Sequence, residues 1–173
     1  MHPNTETMVS IEGVWSRDET EAFLDAAIVP VRIGCHNPKG GLWMLSLWYR
    51  YHDGRIQCAT SKGADVVGFL RKNDEICFEI STNMPPYMGV RGAGRAAIET
   101  DGAKDVLRSL VDRYLGTREA EMAQWLLSDD REEVSITVEP SRLYTWDFTP
   151  RMQSVVEQSP AATRGEPSSP KYD

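Results

Sequence analysis

The sequence predicts a mainly β domain with flanking helices, an α+β fold of about six strands. Three observations carry this. Apolar and polar residues alternate from Trp43 to His52 with the period of a strand, and Asp53-Gly54 follows as a hairpin turn. Further on, Val106, Leu107, Leu110, Val111, Tyr114 and Leu115 form one helical stripe. With 173 residues, 40% of them hydrophobic, the chain buries one sizeable core, so a single domain is expected over 1–149.

Taken in order, Ser16 and Glu19 make a capping box, and Phe23, Leu24 and Ala27 continue a short helix that closes one end of the core. Ile28 to Gly34 reads as the first strand, and Asn37-Pro38-Lys39-Gly40-Gly41 as a turn. In the hairpin, Trp43, Leu45, Leu47, Tyr49 and Tyr51 share one face; Asp53-Gly54 tolerates the positive φ of a type I′ turn, and Arg55 to Thr60 returns as a strand. Thr60, Ser61, Lys62 and Gly63 then precede Ala64, Val67 and Leu70 at helical spacing.

Glu75 to Ile80 alternates, Asn83-Met84-Pro85-Pro86 interrupts, and Tyr87 to Ile98 is a long strand. Gly89, Gly92 and Gly94 within it mark a bulge, or a place where another backbone or a ligand comes close. The run Gly92 to Ala97 matches the G-x-G-x-x-A string, but it lies inside a strand and not between strand and helix, which rejects a dinucleotide fold. Ala103 to Leu115 is an amphipathic helix ended by Gly116, and Ala120 to Leu127 a shorter one with Trp125 as a packing anchor. Val134, Ile136 and Val138 alternate, Pro140-Ser141 turns the chain, and Leu143 to Phe148 is the last strand. From Pro150 the sequence is rich in proline and small polar residues, so 150–173 is expected as a disordered tail.

A net charge of −7 without a basic run argues against nucleic acid as partner. The start, MHPNTETMVS, has neither a basic region nor an apolar run, so no membrane insertion or secretion is expected. Three cysteines without C-x-x-C suggest no disulfide framework and no zinc site; a reducing cytoplasm fits, with Cys58 and Cys77 as buried strand thiols.

Two hydroxyls and an ammonium where a strand end meets a helix start suit a phosphate, because the first helical amides lack partners and carry partial positive charge. The competing reading makes Thr60 or Ser61 an N-cap and Lys62 a solvated lysine. Strand, Asp-Gly turn, strand, Thr-Ser-Lys and helix together resemble the flavin-binding split β-barrels of the pyridoxamine 5′-phosphate oxidase-like superfamily, over about Glu19 to Phe148. The resemblance implies a Greek-key-like split β-barrel and FMN as cofactor. It implies phosphate contacts at Thr60, Ser61 and Lys62, and ring contacts at Leu45, Ser46, Leu47 and Trp48. It also implies a homodimer with the cofactor at the interface, where Trp146, Phe148 and Met84 to Met88 complete the pocket.

Arg91, with Arg95 or Lys72, is a candidate for a phosphate or ring oxygen, and a flavin edge is a candidate neighbour of the strand glycines. A salt bridge for Arg91 and a core position for Trp146 are the alternatives. No side chain is assigned to catalysis, since hydride transfer to a flavin needs no protein nucleophile. Pyridoxamine phosphate oxidases carry an Arg-Leu-His element; Arg142-Leu143-Tyr144 lacks the histidine, so vitamin B6 oxidation is not expected. The function expected is an FMN-dependent oxidoreductase acting on a small organic acceptor. Its alternatives are an F420-dependent reductase on the same fold, a non-enzymatic flavin- or haem-binding protein, and an interaction domain.

Overall fold

The computed structural model describes residues 9–158. In chain order the elements are β1 (Ser10–Gly13), α1 (Arg17–Ala26), β2 (Val31–His36), β3 (Leu42–Leu47), β4 (Arg50–His52), β5 (Arg55–Ser61), α2 (Asp65–Lys72), β6 (Glu75–Ser81), β7 (Met88–Glu99), α3 (Ala103–Leu115), α4 (Glu121–Leu126), β8 (Glu133–Asp147) and α5 (Thr149–Gln158). The strands make one sheet in the order β3-β2-β6-β7-β8-β5-β4, with β1 added to β8. β3 and β4 stand at opposite ends of that order, yet only Trp48 and Tyr49 separate them in sequence. The two ends of the sheet therefore meet, and the covalent chain closes the barrel.

The expected hairpin strand from Trp43 to His52 is thus two strands with a seam between them. Tyr49 fixes the seam: it is fully buried, and its hydroxyl donates to the Leu24 carbonyl at 2.8 Å and lies 3.1 Å from that of Ala27. Those carbonyls come from the end of α1, whose start carries the expected capping box between Ser16 and Glu19. Alternate residues of β2, β5, β6 and β8 point inward, among them Ile33, Ile56, Phe78 and Ile136, and Val66, Val67 and Leu70 of α2 pack against them. The Asp53-Gly54 turn has φ of 48° and 73°, as a type I′ hairpin requires.

Several expectations need correction. The strand expected from Ile28 to Gly34 is the second, β2, and starts at Val31, because Pro30 brings no donor and the Val29 carbonyl is taken by the Tyr114 hydroxyl at 2.8 Å. Pro140-Ser141 is a bulge in a continuous β8: Arg142 faces Ala93, Pro140 faces Gly94, and the intervening Ser141 donates its hydroxyl to the Ala93 carbonyl at 3.0 Å. The backbone that approaches Gly92 and Gly94 of β7 is that of β8, and the backbone that approaches Gly89 is that of β6: a Cβ on Gly92 would lie 2.6 Å from the Arg142 carbonyl oxygen, and one on Gly89 2.5 Å from that of Ile80.

β1 has too little alternation to read from sequence. It pairs parallel with Arg142 to Thr145 because β5 covers that side of β8 only from Glu133 to Val138, which leaves the rest of the edge open. Thr60 and Ser61 do not cap α2; its N-cap is Ala64, without a side-chain bond. Cys77 is exposed, while Cys35 and Cys58 are buried. The tail expected to be disordered from Pro150 begins within α5, where Thr149 N–H donates to the Asp147 carboxylate at 2.8 Å and starts the helix; 159–173 lie outside the described residues. No helix among the described residues is long and apolar enough to cross a membrane.

Candidate functional site

β5 leaves the barrel through Thr60 and Ser61, and the next turn is held by backbone alone: Lys62 N–H donates to the Glu132 carbonyl and Ala64 N–H to that of Ser61, both at 2.9 Å. Neither hydroxyl is spent on capping. Ser61 Oγ accepts only a 3.4 Å contact from Gly63 N–H, and the Thr60 hydroxyl makes no hydrogen bond among the described residues. Beside them the end of β3 delivers Ser46 and Leu47, and the seam delivers Trp48.

These residues border a cavity of about 380 Å³ whose other wall is Leu107 and Leu110 of α3 and Met122, Trp125 and Leu126 of α4, with Arg131 and Glu133 where β8 begins. The walls are largely apolar with a few polar groups among them, the usual character of a small-molecule pocket. Trp48 is held flat: its ring stacks on Tyr114, centroids 5.1 Å apart and planes 7° from parallel. Tyr114 is itself pinned, its hydroxyl donating to Val29 and accepting from Tyr49 N–H at 3.3 Å. Burial raises the phenols of Tyr49 and Tyr114 and the thiol of Cys58 above their ordinary values, so these groups behind Trp48 stay neutral near neutral pH, with the Arg113 guanidinium 5.5 Å from the Tyr49 ring centre.

Arg131 lies over the Trp125 ring, 4.1 Å from its centre, and its Nε donates to the buried Glu133 carboxylate at 2.8 Å. Trp125 is not the packing anchor that the sequence suggested, for it is 60% exposed. Trp125, Arg131 and Glu133 were not among the expected site residues; an aromatic followed closely by a charged run after a short helix was the signal available. Lys62 is not on the cavity wall. Its ammonium is 3.2 Å from Glu132, and it borders a shallow basic opening with Arg71 and Lys72.

Of the expected set, Ser46, Leu47, Trp48, Thr60 and Ser61 share this cavity, and Leu45 turns inward to pack on the core. Arg91 and Trp146 lie elsewhere, along the far halves of β7 and β8. The Arg91 guanidinium sits 4.6 Å from the Tyr144 ring centre and 5.9 Å from that of Trp146. One chain therefore does not bring them to Thr60.

Arg91 belongs to a second region, the outer face of the sheet, which holds adjoining hollows of about 820 and 500 Å³. A cross-strand row of Met44, Gly34, Cys77, Ala93 and Arg142 crosses it. Several of its charges are paired, Arg32 with Glu79 at 3.5 Å, Arg95 with Asp74 at 2.6 Å, and Arg55 with Glu139 at 3.0 Å, while Arg91 lies against the Tyr144 and Trp146 rings and, like Arg142, makes no ion pair among the described residues. Leu42 and Met44 stand exposed at its edge. This is a broad face on which small and apolar residues predominate. Among the described residues, no group of three or more His, Cys, Asp or Glu is placed to hold a metal ion.

No family model and no curated protein sequence matches the chain. Solved structures do match it. A conserved hypothetical protein of Mycobacterium tuberculosis is 22% identical with a TM-score of 0.66, over 78% of this chain and 86% of that one. An F420 reductase is 18% identical with a TM-score of 0.56, over 75% and 98%. A candidate pyridoxamine 5′-phosphate oxidase of Listeria innocua is 13% identical with a TM-score of 0.56, over 74% and 95%. The rolled antiparallel sheet, closed through Trp48-Tyr49 and flanked by helices, is thus the split β-barrel fold of the pyridoxamine 5′-phosphate oxidase-like proteins.

Proposed function

We propose that this domain binds FMN in the cavity beside Thr60 and serves as a flavin-dependent oxidoreductase for a small organic acceptor, in the cytoplasm. The observation that carries the reading is that the unspent Thr60 and Ser61 hydroxyls line the same largely apolar slot as Trp48, whose ring is fixed on Tyr114. Thr60 and Ser61 hold the phosphate, with Lys62 near it once that side chain exchanges Glu132 for the ligand. Ser46, Leu47 and Trp48 border the ring, and Leu45 supports them from the core side. When bound, the flavin supplies hydride transfer, and the chain binds, orients and shields it from water.

The outer face supports a homodimer. Its small residues let a second sheet approach closely, and Leu42 and Met44 gain burial there. In that assembly Arg91 and Trp146 serve the partner's cofactor, because one chain keeps them away from its own cavity. A second reading, F420 in place of FMN, draws on the basic opening at Lys62, Arg71 and Lys72 and on the likeness to an F420 reductase.

The test is the visible absorption spectrum of the purified protein after incubation with FMN, F420 or haem and desalting, followed by turnover with NAD(P)H. Retained flavin absorbance with turnover is the expected result. Retained haem without flavin moves the protein to a binding role, and retention of none of the three overturns the cofactor reading.

A further inference from the structure

The guanidinium of Arg131 is immobilised but only partly used. The Glu133 side chain is 2% exposed and the Arg131 side chain 22%, so the carboxylate is held deep and its cation is held with it. Trp125 covers one face of the guanidinium at 4.1 Å. A guanidinium carries five N–H donors, of which the Nε proton goes to Glu133. The donors on its two terminal nitrogens make no hydrogen bond among the described residues, and the side chain lines the same cavity as the unspent Thr60 hydroxyl. Lys62 differs on every count: it is exposed, already paired with Glu132, and outside the wall.

We infer that Arg131 is the principal phosphate-binding cation of this site, positioned by Glu133 and backed by Trp125, and that it makes the site selective for a phosphorylated flavin over its dephosphorylated form. This rests on the flavin reading given above. A planar guanidinium with both terminal amino groups free matches two phosphate oxygens, and a rotamer fixed beforehand loses little entropy on binding. Glu133 acts through Arg131 and touches no ligand.

The experiment is a fluorescence titration of the full chain with FMN and, separately, with riboflavin, for wild type, Arg131→Gln, Glu133→Gln, Lys62→Ala and the double variant Arg131→Gln/Glu133→Gln. Circular dichroism melting checks the fold of each. Wild type should prefer FMN, and Arg131→Gln should lose roughly 10- to 100-fold in FMN affinity with riboflavin unchanged. Glu133→Gln, which keeps the cation but loosens it, should lose FMN affinity to an intermediate degree. Where Arg131→Gln alone fails to fold because Glu133 is left buried and unpaired, the double variant removes that charge and gives the same reading. An FMN preference that survives in these variants, that vanishes only in Lys62→Ala, or an equal loss of both ligands in a folded variant overturns the inference and leaves the flavin reading standing. A wild type that binds neither ligand overturns the flavin reading and this inference with it.

Discussion

At the cavity beside Thr60 the polar groups are fixed yet unspent, whereas on the outer face of β2, β6 and β7 most charges already have partners. Arg131 is locked by Glu133 and Trp125 with its terminal amino groups free; Arg32 and Arg95 on the outer face are engaged by Glu79 and Asp74. The outer hollow is the larger, about 820 against 380 Å³, and by size alone it would be taken for the binding site. Size is a poor guide here. A small ligand needs donors that the protein has not satisfied, while a protein partner needs area, small residues and exposed apolar edges. Leu42 and Met44 supply such edges, and the small residues Gly34 and Ala93 lie between them and β8.

The contrast breaks most readily on the outer face. Ala93→Arg places a long cation in the small-residue row, and self-association measured by light scattering should weaken by at least ~100-fold, while circular dichroism stays native. An unchanged oligomeric state would remove the outer face as the interface. At the cavity, Lys62→Ala should lower FMN affinity by roughly 3- to 10-fold but change stability by no more than about 0.5 kcal/mol, because its bond to Glu132 is exposed. Unchanged FMN affinity in the titration would exclude Lys62 from the site.

Tyr49→Phe lies behind the seam that joins the two regions. It leaves the buried Leu24 carbonyl without its donor, and chemical denaturation should show a loss of about 1–2 kcal/mol. FMN affinity and oligomeric state should hold; a change in either would mean that the seam, and not the local polar groups, controls that region. The smallest effect is expected from Glu132→Gln, which frees Lys62 and should tighten FMN by about 2- to 5-fold in low salt, fading as salt rises. Weaker binding would show that Glu132 helps the ligand and does not compete with it.

Part of the site was legible before the structure. Alternation around Ser46 to Trp48 and the hydroxyl pair Thr60-Ser61 are close in sequence, separated by the seam and the β4-β5 hairpin, and the fold places them on one cavity. Arg131 and Trp125 were not legible, since a lone arginine in an acidic run looks like any solvated charge until α4 and β8 bring it against the far end of β5. Lys62 and Glu132, whose side chains meet although 70 residues apart, show the same limit. Within one chain Arg91 and Trp146 lie away from the Thr60 cavity, because β8 is long enough to carry Trp146 and Glu133 to different parts of the molecule.

By itself the sequence determined what short-range physics controls. The capping box at Ser16, the positive-φ turn at Asp53-Gly54, the helix Ala103–Leu115 and the alternating strands each depend on neighbours within a few residues, where side-chain period and backbone sterics leave few choices. Only the tertiary structure decided the break at Trp48-Tyr49, the bulge at Ser141 and the parallel pairing of β1 on the free edge of β8. Each of these satisfies backbone groups that would otherwise be left unpaired once the sheet closes, and closure is a property of the whole barrel, invisible to any one segment.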